Sequence, residues 1–398
     1  YPSLWFHSLW LIVFLQSFIV AHILRLTLRI VFRVTSIIAY LVMIVLLCLF
    51  TNLPWFTGFI MPDIFTGVLI LSLYLLMFCR GTLAFWERSY LFLLTVLCVT
   101  VHLSHIPLAA GMIGATWLFR VLIKKNGRLP VPHLPGASFA ILLAFMLIIA
   151  NNYRIYSAFT FSPDGYVFLL ARFVADGEAA KYLKESCPER KYKLCAYIDK
   201  LPADSDKFLW SAESPLRKVG WINGYRQEGK EIVRKIILNH PFPVIKNSFK
   251  NSVLQLPMIN NGYGLCSYIN EPYPTDEIRT YYPCDFHAYA TSRQSLNQLS
   301  LNTFNRLHRI IICFSLLITV AMFFICLKHK QYLPLLLLIS IVCAYVLSSF
   351  ITGALSNPHN RYGSRIIWLL PFFSFASLIH IIKFWKEYNR RSPRTGNA

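Results

Sequence analysis

Long apolar runs without charge are the feature that most limits what this chain can fold into. Ile37–Phe50 and Tyr332–Ile351 contain no Asp, Glu, Lys or Arg. A water-soluble core does not need such runs, whereas a helix that crosses a bilayer needs about 20 mostly apolar residues. Charged residues make up 14% of the chain, well below the roughly 25% of soluble domains. We therefore expect an integral membrane protein whose surroundings are membrane lipids.

Apolar runs separated by breakers predict an all-α polytopic membrane protein with about nine transmembrane helices. The predicted spans are residues 4–24, 36–52, 62–79, 89–104, 106–123, 137–152, 309–327, 331–352 and 366–384.

Basic residues between the spans predict the orientation, because Lys and Arg are enriched in cytoplasmic connections. Basic clusters follow every odd-numbered span, while the short even-numbered connections 51–61 and 103–105 carry no charge and 353–365 carries only Arg361 and Arg365. This alternation predicts a multi-pass protein of the bacterial inner membrane with a cytoplasmic tail. It also puts Tyr1 outside, which agrees either with an odd number of spans or with a further span before Tyr1; ten spans in all is the favoured expectation. The clusters are Arg25, Arg29, Arg33; Arg80, Arg88; Arg120, Lys124, Lys125, Arg128; Lys328, Lys330; and Lys383, Lys386, Arg390, Arg391, Arg394.

The acidic residues concentrate in one segment between spans six and seven. Residues 151–306 hold 15 of the 18 Asp and Glu beside 20 Lys and Arg, a net charge of +5, and the rest of the chain carries +16 of the total +21. This predicts an N-terminal bundle of six spans (1–152), an extracytoplasmic domain (153–306) and a C-terminal bundle of three spans with a basic tail (307–398). Because topology explains the basic clusters, no nucleic-acid partner is expected.

The outer domain is predicted to be mainly helical. Helical patterns cover 166–184, 230–238 and 243–256, while the Gly-, Tyr- and Pro-rich stretch 263–283 is typical of irregular loop. Four cysteines lie there, and an even number in an oxidising compartment favours disulfides over free thiols. The most economical pairing joins Cys187 to Cys195 and Cys266 to Cys284.

Two outer connections carry polar groups that are costly at membrane depth. Asp63 is the only acid in the first 86 residues, and Pro62 places it in the first turn of span three, where a carboxylate gains from the helix dipole. It is either a helix cap or a catalytic acid. His102 and His105 share one helical face. They are either core histidines or groups that hydrogen-bond a substrate or Asp63; no metal site is expected, because no further ligands are evident nearby.

A third outer connection precedes span nine and breaks the positive-inside trend. Arg361 and Arg365 are four residues apart, so one helical face presents both. Guanidinium groups at an outer interface suit phosphate, either of a substrate or of lipid headgroups. Asn357, His359 and Tyr362 lie around them and favour a substrate site.

Together the three connections predict a site at the outer face. Asp63, His102 or His105 would act as general base on a hydroxyl. The arginines would hold a phosphate leaving group and stabilise its charge. This pair of functions is what an enzyme needs to transfer a sugar from a polyprenyl-phosphate carrier, and no cofactor is required.

Apolar runs interrupted by short outer motifs, with a large extracytoplasmic insert, resemble the GT-C glycosyltransferases in architecture. More narrowly, the chain looks like a bacterial family of polytopic inner-membrane proteins. The GT-C resemblance implies a membrane transferase that uses a lipid-linked phosphate donor. In GT-C enzymes the catalytic acid lies in the first outer loop, whereas Asp63 lies in a later one. The stretches that carry the narrower resemblance are Leu53–Gly67, His102–Pro107, Phe168–Trp210 and Asn360–Pro371.

Two other classes stay open. A transporter or flippase for a lipid-linked or anionic molecule would need polar groups along a path through the bilayer and usually internal repeats; the spans show neither. A non-catalytic assembly or sensor protein would use its outer domain to bind a partner. A soluble dehydrogenase, kinase or nuclease is excluded, because the chain contains no Gly-rich phosphate loop, HExxH or GxSxG.

Overall fold

The computed structural model describes residues 7–123 and 129–391. Within these residues the chain is helical and forms no strand, so the all-α prediction is confirmed. The predicted cytoplasmic residues Lys124, Lys125, Arg128 and Arg394 lie outside the described residues, as does the start of the first predicted span.

The first part of the chain forms helices of very different lengths. They are α1 (Trp10–Val31), α2 (Ile37–Phe50), α3 (Leu53–Gly58), α4 (Phe65–Phe78), α5 (Phe85–Thr100), α6 (His105–Ile123) and α7 (Pro135–Tyr156).

The helices that follow begin with a run of short ones. They are α8 (Gly165–Ala175), α9 (Glu178–Ser186), α10 (Ser205–Trp210), α11 (Pro215–Lys218), α12 (Trp221–Gly224), α13 (Arg226–Asn239), α14 (Pro241–Gln255), α15 (Pro272–Tyr281), α16 (Pro283–Ala290), α17 (Asn302–Lys328), α18 (Tyr332–Leu355), α19 (Asn360–Ile367) and α20 (Leu369–Arg391).

Among the described residues, six helical segments are long and apolar enough to cross a membrane. They are α1, α6, α7, α17, α18 and the segment Asn360–Lys383, with lengths of 18 to 27 residues, or about 27 to 40 Å at 1.5 Å per residue. The remaining predicted spans lie on the shorter helices α2, α4 and α5. The protein is therefore a helical membrane protein, and the count of nine spans stays a prediction.

The chain divides into two compact units. Unit 1 comprises residues 1–143, 259–345 and 363–398, and unit 2 comprises residues 144–258 and 346–362. The predicted outer domain, 153–306, is thus shared between them, because residues 259–306 group with unit 1. Unit 2 also contains the C-terminal ends of α7 and α18.

In unit 1, α4 is buried on all sides, from Thr66 to Met77. A helix that is apolar all round lies in a protein core or spans a membrane, and its burial on every face places α4 inside the helices of unit 1. Gly67 lets the indole of Trp368 reach the α4 backbone: a Cβ at Gly67 would lie 2.4 Å from Trp368 Cζ2. Trp368 is fully buried and lies between α19 and α20. This close approach aligns the segment that ends α19 with the start of α4.

Unit 2 is built around an apolar core that includes Leu170, Leu183, Phe208 and Tyr225. The predicted helix 166–184 is divided into α8 and α9, because Gly177 adopts a positive φ of 83° that interrupts the helix. The predicted helices 230–238 and 243–256 correspond to α13 and α14.

The disulfide prediction holds for one of its two pairs. Cys187 and Cys195 form a disulfide beside the unit 2 core. The pairing of Cys266 with Cys284 is not formed, and both are exposed thiols. The stretch 263–283 was expected to be irregular loop, but α15 occupies Pro272–Tyr281. Helix α15 lies between the two cysteines in sequence. A helical segment cannot bend back as a flexible loop can, and the two thiols are therefore not brought together.

We predict that Gly67→Ala lowers the melting temperature of the detergent-solubilised protein, because the new methyl group overlaps the Trp368 ring. The expected cost is about 1–3 kcal/mol, as for other over-packed cores. Gly114→Ala is the matched control, since a Cβ at Gly114 meets nothing within 4 Å and alanine favours the helix. Equal melting temperatures for the two variants would contradict this account of the packing.

Candidate functional site

Asp63 lies in a short 3₁₀ turn, Pro62–Ile64, that leads directly into α4. The carboxylate is fully buried, with 0% of the residue exposed. Its place before the N-terminus of α4 is favourable, because a helix N-terminus attracts negative charge. A charge this deeply buried also needs a partner of opposite sign.

Arg365 supplies that partner. Its Nη1 lies 3.4 Å from Asp63 Oδ1, and the Arg365 side chain is 1% exposed. Arg365 stands near the end of α19, where the side chain of Asn52 donates to the carbonyl of the preceding Ser364. The carbonyl of Arg365 itself accepts from Trp368 Nε1 at 3.0 Å. The backbone on both sides of Arg365 is thus held in place, which aims the guanidinium at Asp63.

The network continues from Arg365 to His102 through Ser104. Arg365 Nη2 donates to Ser104 Oγ at 3.4 Å. His102 Nδ1 accepts the backbone N–H of Ser104 at 3.2 Å and lies 2.8 Å from its Oγ. An imidazole nitrogen that accepts an N–H carries a lone pair, so the Ser104 hydroxyl donates to it. Arg365 therefore donates a hydrogen bond to Ser104, and Ser104 donates one to His102.

His105 is buried beside the hydrogen-bond network of Arg365, Ser104 and His102, but its own hydrogen bonds go to other groups. Its ring lies 5.0 Å from that of His102, and the residue is 0% exposed. Nδ1 contacts the carbonyl of Cys98, which can only accept, so Nδ1 carries a proton. Nε2 lies 2.8 Å from Thr66 Oγ1 and accepts from that hydroxyl in the neutral ring. Both nitrogens are thus used by the protein, which favours a positioning role over proton transfer.

The second unit contains a different acid–imidazole pair. His359 Nε2 lies 3.3 Å from Asp206 Oδ2, and the two side chains are 15% and 31% exposed. The fully buried Gln255 fixes the His359 backbone at both ends: its Oε1 accepts the His359 N–H at 2.8 Å, and its Nε2 donates to the His359 carbonyl at 2.9 Å. This pair is partly accessible, unlike Asp63 and Arg365.

The other predicted substrate-binding residues lie close to His359 in sequence and in the same unit. Tyr362 OH lies 3.1 Å from Ser356 Oγ, and the Arg361 guanidinium stands 6.0 Å from the Tyr362 ring centre. Asn357 is partly buried in the turn before α19. These contacts orient the start of α19.

The structure brings together Asp63, Arg365 and His102, with His105 beside them. It places His359, Arg361 and Tyr362 in unit 2. Ser104, Asp206 and Gln255 were not predicted. Asp206 follows the helix cap Asp204, whose side chain accepts from Lys207 N, and nothing local distinguishes Asp206 from an ordinary solvated acid.

A basic cleft lies at the opposite end of α4 from Asp63. It is lined by Arg80, Arg88 and His133 together with apolar side chains such as Phe78 and Leu83. The Arg80 guanidinium contacts the His133 ring. Burial and then the charge of Arg80, with a further contribution from Arg120, hold the pKa of His133 below its usual value of 6.5. His133 is therefore mainly neutral at pH 7.

No family model, no curated protein and no solved structure matches the chain. The resemblance to GT-C enzymes and to a bacterial family therefore stays an expectation.

We predict that Asp63→Asn and Arg365→Gln each lower the free energy of unfolding by roughly 3–5 kcal/mol, because each leaves the other charge buried without its counter-charge. The double variant should lose less than the sum of the two. Chemical denaturation in detergent measures all three. Glu213→Gln, which breaks the exposed Lys218–Glu213 pair, is the control and should cause no measurable change. Strict additivity would show that the pair is not coupled.

We also predict that His133 titrates below 6.5 and that Arg80→Gln moves its midpoint upward. The sign follows because a neighbouring positive charge disfavours the imidazolium, and its removal relieves that penalty. NMR of histidine-labelled protein in detergent, assigned with His133→Asn, measures the midpoint. Arg33→Gln removes an exposed arginine outside the cleft and should leave the His133 midpoint unchanged. A midpoint that does not move in Arg80→Gln would contradict the assignment.

Proposed function

We propose that the protein is a transferase of the bacterial inner membrane that uses a lipid-linked phosphate donor at the outer face. The polyprenyl-phosphate sugars are the donor class that suits this chemistry. The observation that carries the proposal is the pairing of a carboxylate, Asp63, with a guanidinium, Arg365, inside a helical membrane protein. A base for the acceptor and a cation for the phosphate leaving group are the two groups that such a transfer needs.

In this proposal Arg365 changes partner when the donor binds. A guanidinium binds phosphate through the same paired N–H groups that it offers to a carboxylate. The donor phosphate takes the place of Asp63 on Nη1, while Ser104 keeps its contact with Nη2. The chain through Ser104 to His102 then holds the guanidinium in position throughout the exchange.

The exchange also prepares Asp63 for its role. Once separated from Arg365, the carboxylate takes the proton of the acceptor hydroxyl. The acceptor oxygen forms a bond to the anomeric carbon, the bond from that carbon to the phosphate oxygen breaks, and its electron pair leaves with the polyprenyl phosphate. Arg365 stabilises the negative charge that develops there.

A second candidate is a non-catalytic assembly or sensor protein, with the pair serving only to hold the fold. The specific observation in its favour is the burial of the two groups, 0% for Asp63 and 1% for Arg365. A buried ion pair can specify which segments of a chain pack together. For the transferase, the same burial means that α19 must shift when the donor binds.

We predict that Asp63→Asn reduces sugar transfer by at least about a hundredfold, the lower end of what general base catalysis contributes, because an amide does not accept the acceptor's proton. The assay uses the full chain in vesicles with radiolabelled polyprenyl-phosphate sugars and measures the release of polyprenyl phosphate. Arg365→Lys keeps the charge but loses the paired donors, and should also reduce transfer strongly.

The neutral pair Asp63→Asn/Arg365→Gln separates the two candidates. It removes both charges together, so no unpaired charge stays buried. If the protein folds and transfer is lost, the pair is catalytic. If the folded double variant keeps its activity, or supports wild-type function in cells, the pair is structural and the transferase assignment of Asp63 fails.

A further inference from the structure

Helix α14 in unit 2 has its two faces reversed relative to a helix of a soluble domain. Its buried residues are polar: Asn251, Ser252 and Gln255. Four of its apolar residues face outward, at spacings of three and four that form one continuous stripe, while Val244 packs against the unit 2 core. The stripe consists of Phe242, Ile245, Phe249 and Val253, which are 86%, 67%, 65% and 49% exposed.

The inward polar face is held by specific hydrogen bonds. Asn247 Nδ2 donates to Glu178 Oε1 at 3.3 Å, and Asn251 Nδ2 lies 3.4 Å from Asp176 Oδ1. Gln255 makes its two bonds to the His359 backbone. Turning α14 to bury the apolar stripe would break all of these bonds, so the stripe stays on the outer surface of the unit.

The contacts of α14 also define its depth. Ser252 packs against Gly353 so closely that a Cβ at Gly353 would lie 2.5 Å from the Ser252 backbone nitrogen. Ser252 Oγ also lies 3.4 Å from the carbonyl of Phe350. Both partners lie in the last two turns of α18, a helix long enough to span a membrane. A helix packed there lies at the level where the apolar core of the bilayer meets the headgroups.

Two lysines beside the stripe also favour a position at the membrane interface. Lys246 and Lys250 are exposed, and at 100° per residue they fall along one edge of the apolar stripe. An apolar stripe bordered by lysines is the pattern of helices that lie in the membrane interface, with the apolar side among acyl chains and the amines near phosphates.

We propose that α14 lies in the lipid–water interface of the leaflet that surrounds the C-terminal end of α18. Phe242, Ile245, Phe249 and Val253 insert among the acyl chains. Lys246 and Lys250 contact the phosphate groups of anionic lipids. This inference does not depend on the proposed transferase activity.

The test replaces Phe249, and separately Phe242, with the photoreactive residue benzoylphenylalanine in the full chain. The protein is reconstituted in vesicles of phosphatidylethanolamine and phosphatidylglycerol and irradiated, and the adducts are identified by mass spectrometry. Lipid adducts are expected at both positions. The control is Phe208, which is 0% exposed in the unit 2 core, where lipid adducts should be absent. Crosslinks to a second protein chain, or no more lipid adduct than at Phe208, would overturn the proposal.

A second measurement tests the lysines. In the Phe249 photoreactive protein, Lys246→Gln with Lys250→Gln should lower the ratio of phosphatidylglycerol to phosphatidylethanolamine adducts by about fivefold or more, since a lysine near an anionic surface attracts it appreciably. Lys207→Gln, on α10, is the matched control. An unchanged ratio in the double variant would overturn the assignment of the phosphate contacts.

Discussion

The ion pair between Asp63 and Arg365 is the interaction on which much of unit 1 depends. It joins residues that are 302 positions apart in sequence, and both side chains are buried. Lipid cannot solvate either charge, so each requires the other. The packing of Trp368 on Gly67 and the bond from Asn52 to the Ser364 carbonyl bring the arginine to the carboxylate. Proposed chemistry and folding therefore use the same pair of side chains.

Lipid as the surrounding solvent also accounts for the outward apolar stripe of α14. In water, a helix that turns Asn251 and Gln255 inward and Phe242 and Phe249 outward would be unstable. Beside the end of a membrane helix, the outward phenylalanines meet acyl chains, and the inward amides satisfy Asp176 and the His359 backbone. His359 in turn contacts Asp206, so the helix that meets the lipid also supports the partly accessible acid–imidazole pair of unit 2.

Several features were predictable because they depend only on local sequence. Apolar run lengths identified membrane helices, and the eight-residue spacing of Cys187 and Cys195 identified the disulfide that forms. Pro62 predicted Asp63 in the first turn of span three, whereas Asp63 lies in a short 3₁₀ turn just before α4 begins at Phe65. The same local reasoning went wrong at residues 263–283, where α15 forms and Cys266 and Cys284 stay apart. It also read residues 166–184 as one helix, because the positive φ of Gly177 is not visible in an apolar pattern.

By itself, the sequence determined that this is a helical membrane protein and that Asp63, His102, His105 and Arg365 are polar groups in costly surroundings. Hydropathy and the shortage of charge are enough for that, because a polar or charged side chain next to an apolar run is costly unless it is paired, whichever residue its partner is. Only the tertiary structure decided which groups pair: Arg365 with Asp63 and Ser104, and His359 with Asp206. Side-chain periodicity reports the faces of one helix, whereas these pairs depend on how distant helices pack and rotate against each other.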